Sequence, residues 1–191
     1  MALRTSITTE EASHALGCRI SGSERTRRHT LVSKTLQLCL EEAGVVVKSE
    51  PFLFKNSREH PDLLATTDKG EIAIDLTITE ALCKSHRAKT AKKAMSASDV
   101  AIKSKEVMYA KRLKDLKIDF LVVPMESTGG LHPLFQKFVV TMSRTNDVWS
   151  EAQRIDWVYN TYKRCTFALI RGNGRIIRHW ARAQRMEVRV A

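Results

Sequence analysis

Residues 71–78, with the sequence Glu-Ile-Ala-Ile-Asp-Leu-Thr-Ile, limit what this chain can fold into more than any other segment. Side chains alternate between the two faces of a strand, so the aliphatic residues share one face, and Ala73, Asp75 and Thr77 share the other. A carboxylate on a buried strand is costly unless it is paired, bound to a metal or placed at a cleft. The segment therefore predicts a strand that carries an acid with a specific partner.

A second acid, Asp62, begins the preceding strand-like run Leu63-Leu64-Ala65. Residues 66–70 between the two runs end in Asp-Lys-Gly, which is typical of a hairpin turn. Pairing across such a turn brings Asp62 and Asp75 side by side, and two close carboxylates repel unless a divalent cation lies between them. In the alternative, Asp62 caps a turn and Asp75 pairs with a neighbouring lysine.

The other patterns predict an α/β domain whose mixed sheet is covered by helices. Residues 28–43 have helical spacing of apolar side chains up to Gly44, and residues 80–117 contain no Gly or Pro, which favours one or two helices with a break around 96–99. Further β-prone runs are expected at 45–47, 52–54 and 118–124, and Pro124 is expected to end the last of them. Helical patterns cover 132–143 and 146–163. Residues 165–170 are expected to form a last strand or a helix turn.

The chain ends differ in character from this central part. Residues 1–26 are polar and irregular, and we expect most of them to form an unstructured N-terminal arm before a domain that spans 27–191. Residues 171–191 carry six arginines against one glutamate, which predicts a second basic surface or a frayed tail.

The net charge of +11 indicates a polyanionic partner, with nucleic acid first and an anionic membrane surface second. Residues 84–117 form the most basic stretch, which is equally typical of a solvated helix surface. The apolar runs are too short for a transmembrane helix or a secretory signal, so no membrane partner and an intracellular location are expected, nuclear if the source is eukaryotic. The four cysteines are widely separated and are expected to be mostly buried thiols.

The run His60-Pro61-Asp62, followed by Asp75, resembles the Pro-Asp…Asp/Glu-x-Lys signature of the PD-(D/E)XK nucleases. The resemblance is greatest to the restriction-like endonuclease domain of site-specific non-LTR retrotransposons. Other residue pairs occur in the order found in that domain, namely Arg28-His29, Ala43-Gly44, Glu50-Pro51, Lys105 with Tyr109, and Gly129-Gly130. The resemblance implies a PD-(D/E)XK core with a mixed central β-sheet flanked by helices.

The resemblance also implies a DNA endonuclease that depends on Mg²⁺ or Mn²⁺, with Asp62 and Asp75 as the metal ligands. In the usual signature a lysine stands two residues after the second acid, and here that position is Thr77. The retrotransposon domains take their lysine from the following helix, so the predicted catalytic residues are Asp62, Asp75, Lys105 and Tyr109. Four other lysines of the basic stretch remain alternatives to Lys105, namely Lys84, Lys89, Lys92 and Lys93.

The expected partner is double-stranded or branched DNA, with RNA as a weaker alternative. The predicted DNA contacts are Arg27, Arg28, His29, Lys89, Lys92, Lys93, Lys103, Arg171 and Arg175. A hydrogen bond to backbone is an equally good interpretation of His29, and Glu50 and Glu126 are expected as exposed loop carboxylates rather than outer metal ligands.

Two further features bear on what kind of protein this is. His14 and Cys18 resemble the second half of the zinc knuckle that precedes the retrotransposon nuclease, but its first two cysteines are missing here. The resemblance implies part of, or a derivative of, a larger reverse-transcriptase polyprotein that nicks target DNA for integration. The absence of a lysine at Thr77 supports a second hypothesis, a catalytically inactive nuclease-derived module that only binds nucleic acid.

Overall fold

The computed structural model describes residues 7–18, 21–55, 57 and 59–190, without the side chains of residues 84 and 186–190. The chain is an α/β protein whose elements in these ranges are α1 (Thr9–Gly17), α2 (Gly22–Glu42), β1 (Val46–Ser49), β2 (Leu63–Thr67), β3 (Gly70–Thr79), α3 (Lys84–Thr90), α4 (Ser96–Asp115), β4 (Asp119–Glu126), α5 (Pro133–Met142) and α6 (Glu151–Val190). Among the described helices, none combines the length and the apolar character that a membrane span requires.

The four strands form one mixed sheet in the order β1-β2-β3-β4, which confirms the prediction of an α/β domain with a mixed sheet. Strand β2 pairs with β1 and with β3 in antiparallel fashion, and β3 pairs with β4 in parallel. Helix α4 forms the crossover between β3 and β4, since a parallel connection has to return across the sheet. Both faces of the sheet are therefore covered by helices.

The predicted alternation along β3 is confirmed by the two hydrophobic clusters. Ile74 and Leu76 face the larger cluster, where helices α2, α5 and α6 supply residues such as Leu36, Phe135 and Leu169. Ala73 faces the smaller cluster under α4, together with Tyr109, Leu113 and five further buried or half-buried apolar side chains. One face of β3 thus builds the core, and the other face meets α4.

The hairpin between β2 and β3 forms as predicted, with a tighter turn. The strands run to Thr67 and resume at Gly70, so only Asp68 and Lys69 form the turn. Gly70 adopts a φ of 127°, a backbone conformation that a side chain would disfavour. Residues 52–54, predicted as β-prone, form no strand.

Pro124 lies inside β4 rather than ending it, which corrects the predicted boundary. Strand β4 is at the edge of the sheet, where the missing N–H of a proline breaks no pairing with β3. On its outer side Met125 forms an isolated bridge with Leu131, so the chain after β4 covers part of this edge.

The prediction of a mostly unstructured arm before residue 27 is wrong for most of the described residues there. Thr8 and Glu11 form a capping box that starts α1, and α2 begins at Gly22. Helix α1 packs on α6, with the His14 ring edge-on to Trp180 at 5.9 Å between centroids. The proposed boundary at 26/27 therefore falls inside α2.

The C-terminal part is one 40-residue helix, α6, instead of separate elements and a frayed end. Cys165, Leu169 and Ile176 recur at helical spacing and are fully buried, which extends the packed face through the predicted strand at 165–170. Cys39 is buried opposite this face, whereas Cys18 and Cys83 are half-buried, so the expectation of buried thiols holds for two of the four cysteines.

Gly172 makes the closest approach between α6 and α2. A Cβ atom built at Gly172 would lie 2.5 Å from Arg28 Cγ and 3.1 Å from the Arg28 Cα, whereas one built at Gly174 meets nothing within 4 Å. The contact of the two helices near the start of α2 thus depends on the absence of a side chain at 172.

We expect Gly172→Ala to destabilise the protein by about 1–3 kcal/mol, because the added methyl group forces Arg28 and the α2 backbone away. Gly174→Ala is the matched control and should stabilise by up to about 1 kcal/mol through helix propensity alone. Urea unfolding of the two variants measures both values, and equal stability of the two would contradict the close packing.

Candidate active site

The register of the β2–β3 pair places Asp62 and Asp75 opposite one another. Leu63 is paired with Ile74, so the next step outward pairs position 62 with position 75. Asp75 lies in the interior of β3 and is 2% exposed, and Asp62 stands just before β2. The structure thus brings together the two acids that the hairpin pattern singled out.

The Asp62 carboxylate is held by groups on β3 and α2. The backbone N–H of Leu76 donates to Asp62 Oδ2 at 2.7 Å, and His29 Nε2 lies 3.3 Å from the same oxygen. The Glu50 backbone N–H donates to the Asp62 carbonyl oxygen at 2.8 Å. Asp62 is therefore fixed from both its side chain and its backbone.

His29 reaches the site from the first half of α2. Its Nε2 also lies 2.9 Å from the Leu76 carbonyl oxygen, so this nitrogen faces two acceptors and has to carry the proton. Burial lowers the pKa of His29, but the contacts with Asp62 and the Leu76 carbonyl outweigh it, and the pKa is raised overall. The sequence offered a contact with the site and a hydrogen bond to backbone as alternatives for His29. The structure contains both, to Asp62 and to the Leu76 carbonyl oxygen.

Lys105 enters from α4 and contacts Asp75. Its Nζ lies 3.1 Å from Asp75 Oδ1 and 3.0 Å from Oδ2, with hydrogen-bond geometry only toward Oδ1. The Lys105 side chain is 31% exposed, so the ammonium group lies between the buried carboxylate and solvent. The structure thus pairs the buried acid of β3 with a lysine from α4.

Tyr109, one turn after Lys105 on α4, is 3% exposed and packs between Phe54 and Phe120. Its hydroxyl donates to the His60 carbonyl oxygen at 3.2 Å, which ties α4 to the segment just before Asp62. Burial, followed by the charge of Asp75, raises the pKa of Tyr109 to about 12, so the phenol is neutral at physiological pH. Tyr109 thus connects α4 with the chain before Asp62 through its hydroxyl group.

The site holds more negative charge than its lysine compensates. Burial, and next the charge of Asp62, raises the pKa of Asp75 to about 6 although Lys105 lowers it. Asp75 Oδ2 is also buried and receives no hydrogen bond. A buried carboxylate pair with an unsatisfied oxygen is a suitable environment for a further cation.

The residues present fit one kind of metal site. No group of three or more His, Cys, Asp or Glu side chains that could hold a metal ion occurs within the part of the chain that the structure describes. Magnesium in proteins is often held by only one or two carboxylates, with waters and substrate phosphates completing the coordination. Asp62 and Asp75 match that pattern, whereas His14 and Cys18 belong to no group of three or more potential ligands among the described residues.

The alternative lysines lie elsewhere. Lys89, Lys92 and Lys93 are exposed, and Lys93 Nζ pairs with Asp99 at 2.7 Å; the Lys84 side chain lies outside the described part. Of the described lysines considered for the site, Lys105 is the one that contacts Asp75.

The residues predicted to contact DNA differ in accessibility. Arg28 is 5% exposed and donates to Asn173 Oδ1 at 2.8 Å, a placement that argues against a direct role in DNA binding. Burial lowers its pKa to about 10. Arg27 is exposed but pairs with Glu24 at 2.6 Å. The other predicted contacts that lie on the surface are Lys89, Lys92, Lys93, Lys103, Arg171 and Arg175.

The sequence analysis did not predict the ion pair between Arg112 and Glu59, and its prediction that Glu126 is exposed is wrong. Arg112 donates to Glu59 at 2.7 Å and lies 3.7 Å above the Phe54 ring. The spacing of Lys105, Tyr109 and Arg112, at i, i+4 and i+7, is the signal that could have revealed this face of α4. Glu126 ends β4 and is 6% exposed, so it is no exposed loop carboxylate, and burial raises its pKa.

No protein-family model matches this chain, and no curated protein matches its sequence significantly.

We expect Asp75→Asn to stabilise the protein without divalent cations. Because the pKa of Asp75 is raised from 3.8 to about 6, the folded protein keeps this proton to higher pH than the unfolded chain, and its stability falls as pH rises through that window. The variant should be more stable than the natural chain by about 1–3 kcal/mol at about pH 7, and nearly equal at about pH 4.

Thermal unfolding of both proteins in EDTA across this pH range measures the difference. A variant that is less stable than the natural chain at neutral pH would show that the ion pair with Lys105 outweighs the cost of burying the charge.

Proposed function

We propose that this chain is a metal-dependent DNA endonuclease with a PD-(D/E)XK core, which hydrolyses phosphodiester bonds with Mg²⁺ or Mn²⁺. The observation that carries the proposal is the position of Asp62 opposite Asp75, with Lys105 in contact with the second acid. The parallel β3–β4 pair and the lysine supplied by α4 agree with the resemblance to the restriction-like endonuclease domain of non-LTR retrotransposons.

Asp62 and Asp75 are the residues that would hold the cation. A divalent cation supplies positive charge to the phosphate and lowers the pKa of water, two requirements of phosphodiester hydrolysis. The raised pKa of Asp75 supports this assignment, because burial and the charge of Asp62 outweigh the effect of Lys105, whose Nζ lies 3.0 Å from Asp75 Oδ2.

Lys105 would orient the attacking water or neutralise negative charge that develops on the phosphate. The Lys105 ammonium group is partly exposed beside Asp75, so it can face a bound phosphate while one hydrogen stays on the carboxylate. Tyr109 would act through the backbone of His60, by holding the segment that carries Asp62.

Double-stranded or branched DNA is the proposed substrate, and nicking of a target site for integration is the proposed role. The exposed lysines after β3 and the net charge of +11 support a polyanionic partner. By the same resemblance, the chain is part of, or derived from, a reverse-transcriptase polyprotein that acts inside the cell, in the nucleus if the source is eukaryotic.

One observation favours a second candidate, a nuclease-derived binding module without catalytic activity. Lys105 already forms an ion pair with Asp75, which reduces the negative charge available to a metal ion. Such a module would bind DNA with a steep salt dependence and cleave none of it.

We expect the protein to nick supercoiled plasmid or cleave a branched duplex with Mg²⁺ or Mn²⁺, and to give no product in EDTA or after Asp62→Ala or Asp75→Ala. Gel electrophoresis of the products measures this. Cleavage that persists in both variants would come from a contaminant or another site, and binding without cleavage under either metal would support the inactive module.

Binding of the cation can be tested separately from cleavage. A ligand of the folded state at ten times its Kd stabilises by about 1.4 kcal/mol, which raises the Tm of a domain of this size by a few degrees. We expect Mg²⁺ or Mn²⁺ to raise the Tm of the natural chain, and to leave the Tm of Asp75→Asn unchanged. Equal shifts in both proteins would exclude Asp75 as a ligand.

We expect Lys105→Ala to lower the rate of cleavage by about 10²–10³, the usual cost of losing one positively charged group that acts on the transition state. Lys111→Ala is the matched control, because Lys111 is exposed on the same helix and its substitution removes the same charge. Single-turnover kinetics measure both rates, and an equal loss in the two variants would assign Lys105 a role in binding only.

A further inference from the structure

Five arginines form a straight row on the second half of α6. They are Arg171, Arg175, Arg178, Arg182 and Arg185. Their spacing alternates between four and three residues, which keeps them on one side of an α-helix. With a rise of about 1.5 Å per residue, the row is about 21 Å long. We call this surface the arginine row.

The arginine row faces solvent because the opposite side of α6 is packed. Ile176 is fully buried, Gly172 contacts Arg28, and Trp180 meets His14 of α1. All five arginines are exposed. The side chains that flank the row are small or polar, such as Gly174, His179 and Ala181.

Nothing within the described side chains neutralises these charges. None of the five guanidinium groups has a salt bridge or a hydrogen bond to another described residue. Like charges three and four residues apart destabilise a helix, so five of them in a row have an energetic cost that packing does not explain. An anionic partner outside the chain would remove that cost.

We propose that the arginine row binds the phosphate backbone of duplex DNA. A rigid helix holds the guanidinium groups about 5 Å apart in a line, and guanidinium groups bind phosphate oxygens in bidentate fashion. Guanidinium contacts with phosphates position the duplex but carry no information about its base sequence, so we expect the row to bind duplex DNA of any sequence.

Two other partners fit the row less well. A helix that lies on a membrane surface needs large apolar side chains along the length of its basic face, whereas exposed Phe167 and Ile170 precede the row and no described residue after them adds another beside it. Readers of single-stranded nucleic acid stack bases on aromatic rings, whereas Trp180 lies on the packed side, against His14.

Helix α2 links the start of the row to the candidate active site. Arg28 of α2 packs against Gly172, which follows Arg171 in the chain, and donates to Asn173. The next residue of α2, His29, contacts Asp62. DNA held along α6 would thus run toward the end of α2 that supports the site. The inference rests on the proposed function only in taking DNA as the partner, since binding requires no cleavage.

The test measures DNA binding by the full chain in EDTA, where no cleavage is expected. The variant carries Arg178→Ala, Arg182→Ala and Arg185→Ala, because alanine preserves the helix. A matched control removes the same charge on other elements, with Lys48→Ala, Lys69→Ala and Lys114→Ala, all at exposed positions. Circular dichroism confirms that each variant keeps its helix content, and fluorescence anisotropy with a duplex of about 20 base pairs measures Kd between about 50 and 200 mM salt.

Each phosphate contact contributes about 0.9 to the slope of log K against log salt for B-DNA, so the row variant should lose about 2 to 3 of this slope. Its affinity should fall about tenfold or more, and the control should change little by comparison. A second variant with lysine at the three positions should restore most of the slope, since each lysine keeps its charge.

An equal loss in the control variant would overturn the proposal, because net charge alone would then explain binding. A single-stranded RNA that depends on the row more strongly than duplex DNA would also overturn it. The row variant can lose salt dependence of DNA binding even if the protein cleaves no DNA with any metal. That result would support DNA binding by the arginine row and contradict the proposed endonuclease activity.

Discussion

The burial of Asp75 beside Asp62 is the constraint on which the rest of this structure depends. A charged carboxylate inside a sheet needs positive charge nearby, and α4 supplies it by bringing Lys105 to within 3.1 Å. The pKa of Asp75 stays raised despite this contact, because burial and the charge of Asp62 outweigh the effect of Lys105.

Helix α2 connects this site to the C-terminal half of the molecule. Its successive residues Arg28 and His29 point to different partners, the first to α6 and the second to Asp62. Gly172 makes the first contact possible, since any side chain there would collide with Arg28. One turn of α2 therefore contacts both α6 and the Asp62 carboxylate. These contacts hold the helix that carries the arginine row in a defined position relative to the site.

Much of the candidate site could be predicted because its pattern is local. The period of two along β3 and the turn residues after β2 determine which acids face each other, and both can be read within sixteen residues. Lys105 required the resemblance as well, because α4 is thirty residues away from Asp75 in sequence. Glu59, Arg112 and the buried state of Arg28 were missed, since loop positions and helix contacts have no comparable period.

The sequence by itself determined the hairpin, the faces of β3, the α/β class and the excess of positive charge, because periodicity and composition are properties of neighbouring residues. Only the tertiary structure decided that α1 and α2 begin before residue 27, that Pro124 stays within an edge strand and that α6 continues through Gly172 and Gly174. These features depend on packing between segments far apart in the chain, where burial overrides the local preference of glycine and proline to end an element.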